Sequence, residues 1–154
     1  MFRFLKKSAN ADQRPFWECK KLNQMTSTEW ESLCDRCGKC CLIKIGVWRV
    51  RFTNIGCPLL DVKTGLCRDY ANRWDTVPEC IKLTPQNVRK YAKYLPKTCA
   101  YLWVLKKKRL PPWHYLVSGS HKSIHQMGIS VKNRAEAFHQ PVDLREHVIS
   151  WSDL

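Results

Sequence analysis

The sequence predicts a small single domain, cysteine-rich and metal-stabilised, mainly α with short strands and much irregular backbone. Three observations predict it. Four cysteines, Cys34, Cys37, Cys40 and Cys41, fall within eight residues. Apolar residues recur at helical spacing just before that run and again in the second half of the chain. Between these stretches Cys57, Cys67 and Cys80 follow turn residues rather than periodic segments. With 154 residues, 44% of them hydrophobic, the chain can build one modest core. The expected division is a flexible basic tail over residues 1–14 and a cysteine-rich domain over 15–154.

The cysteine run carries the chemistry. A thiolate is a soft anionic ligand, and two thiolates separated by two residues can close on one metal ion. A third at the same spacing gives C-x2-C-x2-C, a pattern that also holds iron–sulfur clusters. The competing reading is a set of buried thiols or disulfides. No signal-peptide apolar run follows the basic start, and no stretch approaches the ~18 apolar residues of a membrane span. A cytoplasmic protein keeps its thiols reduced, and clustered cysteines there more often bind metal than form bridges. Nine cysteines is an odd number, and vicinal Cys40 and Cys41 could pair only with strain. Zinc or iron, the latter in an iron–sulfur cluster if so assembled, is the expected cofactor.

Taken in order, Pro15, Phe16 and Trp17 open the folded part. Thr26 with Glu29 forms a capping box that starts a helix, with Met25 stapling across it. Trp30, Leu33, Cys34 and Cys37 keep one helical face, which places Cys34 and Cys37 in the last turns. Gly38 then ends that helix in the left-handed region. Cys40 and Cys41 lie on the loop beyond, where free backbone N–H groups can hydrogen-bond the sulfurs. Leu42 to Phe52 reads as a strand, and Thr53–Gly56 as a turn that delivers Cys57. Cys67 follows the turn at Lys63–Leu66, and Cys80 follows Pro78.

Thr84 caps a second helix with Pro85 at its first position, and Val88, Tyr91, Ala92 and Leu95 mark its buried face. Thr98 caps a third, running to Leu105, with Cys99 in its first turn, where the helix dipole favours a thiolate. Lys106–Arg109 places positive charge at that helix's C-terminal end. Leu110–Trp113 reads as rigid and extended, and 129–154 as a short strand followed by a short helix.

The chain carries 27 Lys and Arg against 13 Asp and Glu, a net charge of +14. Eight thiolates holding two divalent ions would remove four of those charges, so the metal site does not account for the excess. Seven Trp and five Tyr among the cations could stack bases and hold phosphates, although core aromatics give the same composition. His121 and His125 have i, i+4 spacing, but Gly119, Ser120 and Gly128 bracket them too closely for a dependable helix. No Gly-rich phosphate loop, nucleophile elbow or pair of carboxylates is present.

Several blocks, read in register, resemble a known family. They are PFWECKKL, EWESLCDRCGKCCL, FTNIGC ending at Cys57, CRDYANRW beginning at Cys67, PECIKLTPQN, YLPKTCAYLW, LPPWHYLVSG and GISVKNRA. The chain is identified as a member of the YcgN-like bacterial family, within a wider zinc- or iron-chelating group marked by C-x2-C-x2-C-C. The resemblance covers nearly everything from Pro15 onward and implies metal chelation with no reaction attached. Two departures stand out. Lys44, Arg49 and Arg51 occupy a connector that is usually acidic in relatives. Gly65 stands where near relatives carry a cysteine, matching instead the wider pattern met here by Cys57, Gly65, Cys67, Tyr70, Arg73 and Cys80. The expected ligand set is therefore Cys34, Cys37, Cys40, Cys41, Cys57, Cys67, Cys80 and Cys99, with Cys19 left out.

Three function classes follow. The favoured one is a metal- or cluster-binding protein in metal handling or redox chemistry. The second is a basic zinc-stabilised module binding nucleic acid. The third is an iron–sulfur protein assisting or performing a methyl-transfer-type modification, since a similar motif occurs in flagellin lysine N-methylase. This chain is short for a complete methyltransferase, so an enzyme is the less favoured reading. No membrane partner is expected.

Overall fold

Short elements joined by irregular backbone make up the protein. A computed structural model describes residues 14–150; apart from Arg14, the expected tail lies outside the described residues. Helix accounts for 30% and strand for 12%, so the expectation of a mainly helical domain is corrected: irregular structure dominates. The longest helices span six residues each. Helices this short cannot sustain themselves and are held by what they pack against.

Helix α1 (Phe16–Cys19) opens the described fold and α2 (Ser27–Ser32) follows. The capping box at α2 forms as expected: Thr26 Oγ1 accepts from the Glu29 amide at 3.1 Å, and Glu29 Oε2 accepts from the Thr26 amide at 2.8 Å. The helix stops earlier than expected. Leu33 is its C-cap, so Cys34 and Cys37 lie on loop backbone and not in a last helical turn. Gly38 is left-handed as expected (φ +74°), yet it starts a 3₁₀ turn over Lys39–Cys41 instead of ending a helix.

The expected single strand over Leu42–Phe52 is two. Strands β1 (Leu42–Ile45) and β2 (Arg51–Gly56) pair antiparallel, Leu42 opposite Gly56 and Ile45 opposite Arg51. Residues 46–50 form the turn, with Gly46 at φ +91°. Thr53–Gly56, expected as a turn, is strand, because its backbone bonds both β1 and the C-terminal segment. A second ribbon, β3 (Leu60–Asp61) against β4 (Leu66–Cys67), sets Cys67 opposite Leu60.

Helix α3 (Arg73–Thr76) precedes Cys80, and α4 (Val88–Tyr91) precedes α5 (Ala100–Leu105). Thr84 and Asn87 cap each other reciprocally ahead of α4. Cys99 is the N-cap of α5, one position outside the expected first turn. Pro112–Trp113 is a turn that leads into α6 (Tyr115–Ser118), followed by α7 (Ser123–Gln126). The strand and helix expected over 129–154 are absent from its described part. That segment instead lies along β2 through single bridges, Thr53 to Val148 and Ile55 to Glu136.

Among the described residues three small cores form rather than one. The largest gathers Trp30, Leu33, Val88, Tyr101, Leu102 and Val104, with Cys34 and Cys99 packed on its edge. Ile124 and Ile129 close around Cys37. Leu42, Leu60 and Val131 form the third, with Cys41 and Cys57 against it. The cysteine run is where the three meet.

Candidate metal centre

Tight backbone turns aim the run at its own sulfurs. Arg36 sits at φ +60° and Gly38 at φ +74°, conformations that reverse the chain within a C-x2-C spacing. The consequence repeats at four cysteines: the amide two residues on stabilises the thiolate. Arg36 does so for Cys34, Lys39 for Cys37, Leu59 for Cys57 and Tyr101 for Cys99. Amides that favour the charged form of sulfur orient a ligand and cost it no proton. The Cys37 amide is taken by Asp35 Oδ1 at 3.1 Å, the expected habit of an Asp at a tight turn.

Gly38 has a steric reason as well. A Cβ there would lie 2.6 Å from Val131 Cγ2 and 2.8 Å from the Gly65 carbonyl oxygen, and Gly65 is itself left-handed at φ +77°. The two glycines let the β3–β4 turn rest directly on the cysteine run. Backbone bonds fix the rest: Cys57 N–H donates to the Cys41 carbonyl at 2.8 Å, and Val131 N–H to the Cys37 carbonyl at 2.8 Å.

Seven of the eight expected ligands feel one another's charge. The couplings run through Cys40, which affects Cys34, Cys37 and Cys99 on one side and Cys41 and Cys80 on the other, with Cys57 bonded to Cys41. Among the described residues no three of these sulfurs all lie within 4.8 Å of one another. Cys67 is held in β4, paired across to Leu60 and within reach of the Cys57 loop, since Arg68 N–H donates to the Leu59 carbonyl at 2.8 Å. Cys19 is exposed at the end of α1, its thiol turned to the Arg14 and Phe16 carbonyls at 3.8 Å. All nine cysteines are free thiols.

Protonation is divided unevenly among them. A hydrogen bond from the Cys41 thiol brings Cys40 down to about 7 and Cys57 down to about 6. Cys41, sharing its proton with both, is driven far upward. Burial pushes Cys34 up to about 12, with Cys40 and Asp35 adding to the rise, and it raises Cys37 and Cys99 as well. Clustered thiolates that cannot all ionise alone are what a cation would stabilise together.

Two cations already face this charge. Lys44 donates to the Cys40 carbonyl at 2.7 Å and the Leu42 carbonyl at 2.8 Å, over the Phe52 ring at 4.9 Å. Burial lowers it, while Cys40, Cys41, Cys57 and Cys80 hold its charge on. Arg73 is buried between the Tyr70 and Trp74 rings, at 4.0 and 3.9 Å, and donates to the Tyr70 carbonyl. Its charge favours the Cys80 thiolate, opposing the rise that burial causes there. The Trp74 indole N–H fixes the Cys80 carbonyl at 2.8 Å. The C-x-x-Y-x-x-R spacing from Cys67 thus supplies a clamp for a different cysteine.

His121 and His125 are engaged separately. His121 stacks on Tyr115 with ring centroids 4.1 Å apart, and His125 Nδ1 bonds Ser130 Oγ at 2.6 Å. The sequence reading missed His114, which is wholly buried. Its Nδ1 accepts from the Leu116 amide at 3.1 Å, which leaves Nε2–H to donate to the Leu33 carbonyl at 3.0 Å. It pins the backbone entering the cysteine run, and nothing in its local sequence signalled that role.

Among the described residues no helix is long and apolar enough to cross a membrane. Residues 33–100 match a family model described as CxxCxxCC, "putative zinc- or iron-chelating domain". The chain is 44% identical over 154 residues to a UPF0260 protein of Rhodopseudomonas palustris strain BisA53, covering 96% of this chain and 90% of that one. A UPF0260 protein of Rhizorhabdus wittichii is 47% identical over 139 residues, with 88% and 94% covered. One from Mesorhizobium japonicum is 50% identical over 128 residues, with 81% and 86% covered. No solved structure matches the chain.

Proposed function

The chain belongs to the UPF0260 family, and from that premise we propose that it holds zinc or iron through thiolate centres built on the cysteine run. The observation that carries the reading is the repeated amide two residues beyond Cys34, Cys37, Cys57 and Cys99. These amides oppose part of the rise that burial imposes on Cys34, Cys37 and Cys99 and support the lowered Cys57, so the first three thiols give up their protons only when an ion arrives. Cys34, Cys37, Cys40 and Cys99 supply one set of four sulfurs; Cys41, Cys57, Cys67 and Cys80 supply the other. Two four-thiolate zinc sites or one iron–sulfur cluster with extra thiols both fit that donor set. The bound ion would supply charge to hold the sulfurs together and, if iron, an electron-transfer couple. Lys44 and Arg73 offset the excess thiolate charge. Thiolate centres of this kind are suited to a reducing compartment such as the cytoplasm.

Purification without oxygen, with visible spectrum and metal content measured on one sample, tests this. At least one zinc or iron centre per chain is expected; a folded, metal-free protein with all cysteines reduced overturns it.

A second reading rests on one groove of about 800 Å³. Its lining includes Lys39, Arg49, Arg51, Lys93, Lys97 and Lys106 and no acidic residue. Six cations over an apolar floor suit a polyanion, and we read nucleic acid as the candidate. Binding to mixed-sequence RNA that weakens steeply with salt, and weakens again in an Arg49→Glu/Arg51→Glu variant, would support it.

A further inference from the structure

Away from the cysteines, the C-terminal segment and β2 bring a different donor set together. Glu136, His139 and His147 each offer one ligand atom, and these atoms all lie within 4.8 Å of one another. His139 Nε2 is 4.0 Å from Glu136 Oε2, and His147 Nδ1 is 3.8 Å from the same oxygen. An ion bound at about 2.1 Å from each ligand joins atoms up to about 4.2 Å apart, so both pairs lie within the reach of one ion and side-chain rotation closes the rest.

Asn54 makes the arrangement more than a chance meeting of surface side chains. Its amide N–H donates to the His147 carbonyl at 3.0 Å, and its carbonyl accepts from the Glu136 amide at 2.8 Å. Its side chain repeats the pairing: Nδ2 donates to Glu136 Oε1 at 2.7 Å, and Oδ1 meets His147 Nδ1 at 3.0 Å. One residue of β2 therefore fixes the backbone of two ligands and orients the Glu136 carboxylate through Oε1. Its bond to His147 Nδ1 holds that ring in place but occupies the ligating nitrogen until an ion displaces the proton. Glu136 Oε2 is left over, facing both imidazoles. Glu136 and His139 are about half exposed, so an ion can enter from solvent and keep water in its remaining positions.

We propose that Glu136, His139 and His147 form a second metal site, distinct from the cysteines, that takes one divalent transition ion such as Zn²⁺ or Co²⁺. Two imidazoles and a carboxylate select that class over the soft ions a thiolate set prefers. The ion takes the place of the proton shared by His147 and Asn54, with Asn54 Oδ1 at hand as a further oxygen. It also clips the 136–147 loop to the strand that leads into Cys57.

The test uses the full chain, its cysteine sites first filled with zinc without oxygen and then titrated with Co²⁺. One further equivalent is expected, with weak visible bands and no near-ultraviolet sulfur-to-cobalt absorption. His139→Ala and Glu136→Gln should each weaken it at least tenfold while the zinc content of the cysteine sites stays equal to the parent's. Absence of the extra equivalent, sulfur-to-cobalt absorption accompanying it, or unchanged binding in His139→Ala would each overturn the proposal. Loss of zinc from the cysteines in the parent protein would bear instead on the thiolate reading, because the two signals are read separately.

Discussion

Arg73 shows how a single residue can serve the centre without touching a metal. A buried guanidinium needs partners, and it finds two aromatic faces, a carbonyl and the Cys80 sulfur. Arg73→Met keeps bulk but removes all of these polar partners. We expect it to cost roughly 2–4 kcal/mol, from a desolvated cation–π pair and lost charged hydrogen bonds, and to lower metal content. Denaturant unfolding of the holoprotein beside metal analysis checks both. Position also separates ligand from bystander. Cys19 lies exposed at the far end of α1, so Cys19→Ser should keep full metal content while Cys80→Ser and Cys67→Ser each reduce it. Equal losses at Cys19 and Cys67 would make Cys19 the substitute for the cysteine absent at Gly65.

The shared proton at Cys41 sets a pH signature for the metal-free protein. Cys40 and Cys57 have folded values near 7 and 6, below their usual 9.0. A depressed acid contributes stability that is present above pH 9 and lost as pH falls through 7 and 6. Cys34, Cys37 and Cys99 are raised and act oppositely, losing stability as pH climbs above 9. The apoprotein's thermal midpoint should therefore rise from pH 6 to about pH 9 and fall beyond it. A midpoint that declines steadily from pH 6 upward would contradict the shared-proton arrangement.

At the scale of elements, the short pieces depend on their ends and their contacts. Thr26→Ala removes a cap from a helix of six residues and should cost about 0.5–2 kcal/mol. Gly38→Ala should cost more, since it adds left-handed strain to a clash with backbone at Gly65. Urea midpoints of the two variants, measured with metal bound, rank them. The capping box and the left-handed glycine were legible because each is a local pattern with a local cause. The hairpin was not: Ile43, Ile45, Val47, Trp48, Val50 and Phe52 keep strand formers on both sides of Gly46, so a lone glycine gave no turn signal. The early end of α2 was hidden for a related reason. Leu33 and Cys34 keep helical spacing, but Cys34 faces the centre, and the Arg36 turn wins over helix continuation.

For the whole molecule, three small cores meet at the cysteine run, and none of them spans the protein. On the proposed reading, metal ligation joins them. Structural zinc contributes on the order of 10–16 kcal/mol in small domains, enough to decide whether such cores stay together. Chelation without oxygen should open residues 57–80 to protease well before the α4–α5 region, whose core includes Trp30 packed on Tyr101 at 4.7 Å. Limited proteolysis with mass mapping reads the order of cuts. Simultaneous cleavage across both regions would mean that the cores do not stand apart.

The sequence by itself determined the donor chemistry: thiolates at chelate spacing, an amide-rich loop around them, and the capping box that starts α2. These rest on residue type and short separation, which the chain states directly. The helix expected from Thr84 and Pro85 begins only at Val88, without a side-chain cap. Only the tertiary structure decided that Arg73 acts on Cys80 rather than Cys67, and that His114 holds the entry to the run. It alone brought Asn54 between Glu136 and His147, more than 80 residues away along the chain. The physical reason is that such pairings depend on how loops close over one another. A loop's path is set by the contacts it makes at its end, not by the residues it passes through.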